Sequence, residues 1–216
     1  MTAQHHGKHV PRRMTDSPAL AEYRRFFATA LRNPTTVGAA TPTSKAVART
    51  VARFLPTTGS PTVVELGPGT GSLSDEIHTR LPATGRHVGI ELNEDLVRHL
   101  RARLPGMESV HADARELRHT LTRLGVDSAD AIVSSIPWSL LAADVQRDIL
   151  DQCRRVLTPE GRFTALTCLP MQHSPAGKRF RTELHSTFAE VGTRIVWRNL
   201  PPLLHYACTG PLPERD

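Results

Sequence analysis

Residues 63–72 read V-V-E-L-G-P-G-T-G-S. An apolar run carrying one acid leads into three glycines at alternate positions, Gly67, Gly69 and Gly71, and a stretch of helical character follows. A glycine-rich turn between a first strand and a first helix lets a ligand approach the backbone. Glu65 makes this turn unusual. A carboxylate two residues ahead of the first glycine would repel phosphate. The ligand must want glycines and acids together.

On the C-terminal side, strand and helix signals alternate. "TVVEL" (62–66) is a strand and residues 72–80 a helix. "HVGIEL" is the second strand, and Asn93 is positioned to cap a helix running to Leu104 with Leu96, Val97, Leu100 and Leu104 as its apolar face. "ESVHAD" and "DAIVSS" give further strands. Residues 142–156 form a helix with Val145, Ile149, Cys153 and Val156 on one side. "GRFTALT" is a strand and residues 177–188 a helix, and "TRIVWRN" with "LLHYAC" reads as a closing antiparallel pair. Such alternation predicts an α/β fold with a mostly parallel sheet covered on both faces.

On the N-terminal side, residues 1–17 are a polar, basic tail expected to be disordered. Residues 18–32 carry Leu20, Tyr23, Phe27 and Leu31 at helical spacing, and Pro34 stops that helix. A second helix starts near Ser44, with Val47, Val51 and Phe54 on one side and Lys45, Arg49 and Arg53 on another. The division expected is a tail (1–17), N-terminal helices forming a cap toward substrate or membrane (18–56), and a ligand-binding domain (57–216).

The 216 residues suit one domain with a short appendage, and 39% hydrophobic content is enough for a core. A net charge of +6 and a pI near 9.9 favour nucleic acid, anionic lipid headgroups or acidic substrates without choosing among them. No stretch reaches the roughly 20 apolar residues of a membrane span. The start lacks the apolar segment of a secretory signal. Cys153, Cys168 and Cys208 show neither a disulfide framework nor zinc spacing, so free thiols, a cytoplasmic protein and no metal are expected.

Acids and small residues recur after successive strands. Glu91, with Leu92, ends the second strand, where an acid accepts hydrogen bonds from ribose hydroxyls. Asp113, with Ala114, follows the third, where an acid can read an adenine amino group and a small residue leaves room for the ring. Ser134 and Ser135 follow the fourth. Ligands of open α/β sheets bind at these carboxyl ends. S-adenosylmethionine has an adenosine at one end and a cationic amino acid with a sulfonium at the other, and it has no phosphate. It therefore accounts for Glu65 together with Gly67, Gly69 and Gly71.

"VVELGPGTG", the acid of "GIELNEDL", "HADA" and "SSIPW" together resemble the successive motifs of class I S-adenosylmethionine-dependent methyltransferases, over about residues 60–170. That implies a Rossmann-like, seven-stranded, mostly parallel sheet. A narrower resemblance is to bacterial PmtA-type phospholipid N-methyltransferases. It rests on Arg32-Asn33-Pro34, Pro42-Thr43-Ser44, Ser134-Ser135-Ile136-Pro137 and Asn199-Leu200-Pro201-Pro202. It implies methylation of a phosphatidylethanolamine-type amine by a protein peripheral at the inner face of the membrane. Cys168 and Leu169 depart from that family's aromatic–glycine pair, and Leu203 from its small residue. Alternatives are a small-molecule (natural-product) methyltransferase, an rRNA adenine N6-methyltransferase, and a non-enzymatic module binding an adenosine nucleotide. The adenine reading wants an asparagine where Ser135 stands, while Trp138 is placed to stack. The expected partners are a lipid or small-molecule amine and an anionic membrane surface met by the N-terminal helix, not DNA or RNA. Tyr23, His205 and Tyr206 are candidates to assist deprotonation of the amine.

Overall fold

The computed structural model describes residues 43–213. The basic tail, the helix at 18–32 with Tyr23, and the Arg32-Asn33-Pro34 segment lie outside the described residues. The first described helix, α1 (Lys45–Ala52), begins where Ser44 accepts from the Val47 N–H as its N-cap. Val47, Ala48, Val51 and Ala52 are buried, leaving Lys45, Arg49 and Arg53 exposed on the other side.

Strands β1 (Thr62–Leu66), β2 (Arg86–Glu91), β3 (Glu108–His111), β4 (Ala129–Ser134), β5 (Leu157–Cys168), β6 (Phe188–Val196) and β7 (Leu203–Pro211) form one sheet in the order β3-β2-β1-β4-β5-β7-β6. β7 runs antiparallel to both its neighbours, and the other pairs are parallel. This is the expected seven-stranded architecture. Helices α2 (Ser74–Arg80), α3 (Glu94–Arg103), α4 (Leu117–Arg123), α5 (Ala143–Val156) and α6 (Pro175–Thr187) connect it. Asn93 caps α3 as anticipated, accepting from the N–H groups of Asp95 and Leu96.

Two cores cover the two faces of the sheet. On one, α1 and α2 pack Val47, Val51, Leu55 and Ile77 against Val63, Ala131, Val133 and Leu166. On the other, α4, α5 and α6 pack Leu117, Ile149, Cys153 and Phe180 against Ile132, Phe163 and Tyr206. Burial of apolar area on both faces explains why β1 and β4 read as continuous apolar runs rather than alternating ones. The sheet thereby presents the carboxyl ends of β1, β2, β4 and β5 along one rim.

Candidate active site

The glycine turn is built as its composition demands. Gly67, Gly69 and Gly71 have φ of 70°, 59° and 84°, a region open to glycine and costly for other residues. The three differ in what surrounds them. A methyl group at Gly71 would meet Arg103 Nη1 at 2.5 Å and Leu100 Cδ2 at 3.0 Å, so this glycine lets α3 pack close. At Gly67 it would press on Ile136 Cγ1 at 3.3 Å, whereas at Gly69 nothing lies within 4 Å. Gly69 is the position where the turn faces open space.

Glu65 is fully buried beneath the turn. Its Oε2 accepts from Ser74 Oγ at 2.7 Å, tying the end of β1 to the first turn of α2. His87 Nε2 lies 3.2 Å from the same oxygen, outside hydrogen-bonding geometry. Glu65 Oε1 has no partner. A buried carboxylate oxygen left unpaired is costly, and it is an acceptor in waiting for an N–H-bearing cation.

Glu91 is buried at the end of β2. One carboxylate oxygen accepts from the Gly69 N–H at 3.1 Å and the other from the Asn93 N–H at 2.9 Å. Burial pushes its carboxyl above the ordinary range, against the pull of those donors. The acid thus fastens the glycine turn to β2, and each oxygen keeps a second lone pair. Leu92, just beyond, offers its carbonyl to His111 Nε2 at 3.1 Å. Asp113 caps a short 3-10 turn by accepting from the Arg115 N–H at 2.9 Å, and its other oxygen meets the Arg115 guanidinium at 2.9 Å. Ala114 is buried behind it.

The two serines after β4 part company. Ser134 is fully buried, and its hydroxyl accepts from Trp138 Nε1 at 2.9 Å. Trp138 is itself buried, stacked on Phe180 with ring centroids 4.4 Å apart, so it has no face free to receive a base. Ser135 lines a pocket of about 90 Å³ with Ile136, Thr167, Cys168, Asn199 and Leu203. The Ser135 hydroxyl is buried there without a partner, while the Thr167 hydroxyl, also buried, lies against the hydroxyl of Tyr206. Cys168 and Leu203, two positions at which the sequence departs from the phospholipid-methylating pattern, both face this pocket. Burial pushes the Cys168 thiol up, so it stays protonated.

His205 is not brought to that pocket, and Tyr206 meets it only from behind, where its hydroxyl lies against Thr167. Both are buried, on opposite faces of β7. Tyr206 packs edge-on against Phe180 on the α6 side, and burial pushes its hydroxyl up. His205 sits beneath Phe54, contacts Thr164 Oγ1, and lines a separate cleft with Arg53 and Arg194. Burial lowers its pKa to about 4. Nothing in the sequence around Thr167 marks it for a role. Asn199 stands out in the sequence only as the first residue of Asn199-Leu200-Pro201-Pro202.

The site fits S-adenosylmethionine on two counts: open space over Gly69, and an unpaired carboxylate oxygen at Glu65 beneath the same turn. Two acids so close to the turn disfavour a nucleotide phosphate.

The sequence matches the methyltransferase domain family over residues 63–161. It is 30% identical over 194 residues to an ornithine lipid N-methyltransferase of Singulisphaera acidiphila, covering 88% of this chain and 97% of that protein. Among solved structures, TrmN from Thermus thermophilus superposes with a TM-score of 0.62 at 21% identity over 83% of this chain, which spans 52% of that structure's length. The N-methyltransferase NodS from Bradyrhizobium japonicum WM9 gives 0.62 at 14% identity, covering 76% of this chain and 94% of that one. Fibrillarin from Aeropyrum pernix, with natively bound S-adenosyl-L-methionine, gives 0.57 at 16% identity over 74% of each chain. The structural likenesses establish the fold, and the full-length relative carries the rest: the chain belongs to the class I S-adenosylmethionine-dependent methyltransferases.

Proposed function

We propose that this enzyme N-methylates the amine of a membrane lipid with a headgroup of the phosphatidylethanolamine type. The observation that carries the reading is the pocket at the ends of β4 and β5. It holds two buried hydroxyls, Ser135 without a partner and Thr167 beside the Tyr206 hydroxyl, and its described lining contains no lysine, arginine, aspartate or glutamate. Hydroxyl oxygens accept amine N–H groups without demanding that the nitrogen stay charged, and a lining without cations does not repel it. The lipid N-methyltransferase relative points the same way by its name.

When bound, S-adenosylmethionine supplies a methyl carbon on a sulfonium, so attack by an amine forms a C–N bond, breaks a C–S bond and frees one proton from nitrogen. In this reading Gly67, Gly69 and Gly71 form the bed for the cofactor. Glu65 answers its ammonium, Glu91 its ribose, and Asp113 with Ala114 its adenine. Ser135 and Thr167 accept from the amine and point its lone pair along the line of attack. Alignment and exclusion of water supply the rate enhancement. Burial holds the Cys168 thiol protonated, so that group does not take the amine's proton.

The test is to supply labelled S-adenosylmethionine with mixed phospholipids, an ornithine-headed aminolipid, total RNA or a soluble amine extract, and follow the label. Label in phosphatidylethanolamine derivatives is expected. Label in the ornithine lipid alone would keep the lipid amine and change the headgroup, whereas label confined to a soluble product or to RNA would end the lipid reading.

A further inference from the structure

The segment joining β6 to β7 carries features that the cofactor site does not use. Trp197 is 69% exposed and Leu200 82% exposed, and Ile195 on the adjoining strand is also exposed. Yet the segment is firmly held. Ser44 Oγ donates to the Arg198 carbonyl at 2.7 Å, the Ser44 N–H donates to Asn199 Oδ1 at 3.2 Å, and Asn199 Nδ2 donates to the Pro201 carbonyl at 2.9 Å. A loop latched at its base while it presents an indole to solvent is built to meet something outside the molecule.

The surrounding charge says what. Arg194 and Arg198 are exposed in the same stretch, and Lys45, Arg49 and Arg53 are exposed on α1, whose N-cap is the latch. Arg53 and Arg194 border one cleft of about 300 Å³ between α1 and β6. Among the described residues, no ion pair engages any of these five cations. Tryptophan beside arginine, with lysine close by, suits the boundary between headgroups and acyl chains, and anionic lipid attracts the cations. Asn199 and Pro201 of this same loop also line the pocket that holds Ser135 and Thr167.

We propose that the β6–β7 loop, through Trp197 and Leu200 and the flanking basic residues, docks the enzyme on an anionic membrane surface and sets the mouth of the acceptor pocket against it. This rests on the lipid reading of the pocket for its purpose, but not for its test.

The chain has two tryptophans, and Trp138 is fully buried, so a vesicle-induced change in emission reports Trp197. With the full chain and vesicles containing phosphatidylglycerol, the emission should shift to the blue and be quenched by brominated acyl chains. Pure phosphatidylcholine should give far less, and high salt should reverse the effect. Trp197→Phe should keep binding and lose the signal. Trp197→Ser with Leu200→Ser should lower vesicle partitioning roughly tenfold or more, as expected for losing two apolar contacts. Arg194→Glu with Arg198→Glu should abolish the anionic preference. Unchanged emission, or partitioning of the serine pair equal to the native chain, overturns the proposal, and so does a blue shift raised by RNA but not by vesicles. A parallel assay in neutral detergent micelles separates the two readings. Lipid methylated in micelles without vesicle docking sinks only this surface, while docking without any lipid methylation sinks only the acceptor.

Discussion

At the scale of single residues, His205 shows what burial does to a side chain shortlisted for chemistry. Its pKa falls from 6.5 to about 4 because the fold desolvates the ring, with Arg194 adding to the effect. The folded state therefore holds the neutral imidazole. That contribution to stability is present above pH 6.5 and is lost as pH falls toward about 4, amounting to on the order of 1–3 kcal/mol. His205→Gln should flatten the loss of thermal stability between pH 7 and pH 4, as followed by circular dichroism melts. A variant as acid-sensitive as the native chain would show that other groups govern the loss. The sequence offered His205 and Tyr206 as neighbours and could not say which face each takes, because facing depends on which strands flank β7. Ser134 and Ser135 pose the same difficulty. Adjacent in the chain, one anchors the indole of Trp138 in the core and the other lines the pocket. Glu65 was legible as an unusual acid before a glycine turn, but its bond to Ser74 nine residues on was not, since only the folded turn brings α2 over β1.

At the scale of elements, the glycine turn does two different jobs, and substitution should separate them. Gly71→Ala drives a methyl group into Arg103 and Leu100 at a φ of 84°, so it should cost about 2–4 kcal/mol in urea denaturation by displacing α3. Gly69→Ala meets no atom, so backbone strain alone should cost about 1–2 kcal/mol. Its methyl group instead enters the space over the turn, and calorimetric titration should show the larger loss in S-adenosylmethionine affinity per kcal/mol of stability lost. Equal stability losses with equal affinity losses would mean that the turn has only one function. The turn itself, the strands on either side and the caps at Ser44 and Asn93 were readable because their determinants are local. α4 was missed. It has seven residues, and its two apolar positions, Leu117 and Leu121, both buried, are too short a stripe to declare a period. β5 begins at Leu157, earlier than its sequence suggests, because Thr158-Pro159-Glu160-Gly161 reads as a turn. It is accommodated as an irregularity where the register with β4 shifts.

At the scale of the whole molecule, local pattern predicted two closing antiparallel strands but not where they go. β7, the last in sequence, lies between β5 and β6, and contacts so distant along the chain leave no periodic trace. Among the described residues no helix is long and apolar enough to cross a membrane. The strand order has a further consequence for synthesis from the N-terminus. β6 pairs with β7 and with no other strand, and β5 keeps its side facing β7 unpaired until β7 arrives. A nascent chain that has emerged as far as residue 202 leaves β5 and β6 each with the edge that β7 covers still open. Such edges recruit other chains. A protein ended at residue 202 should therefore elute as oligomers or precipitate on gel filtration, while the full chain does not, and a monomeric truncated form would show that β6 folds back without its partner. Until its last nine-residue strand is translated, the enzyme depends on whatever shields the growing chain from its own copies.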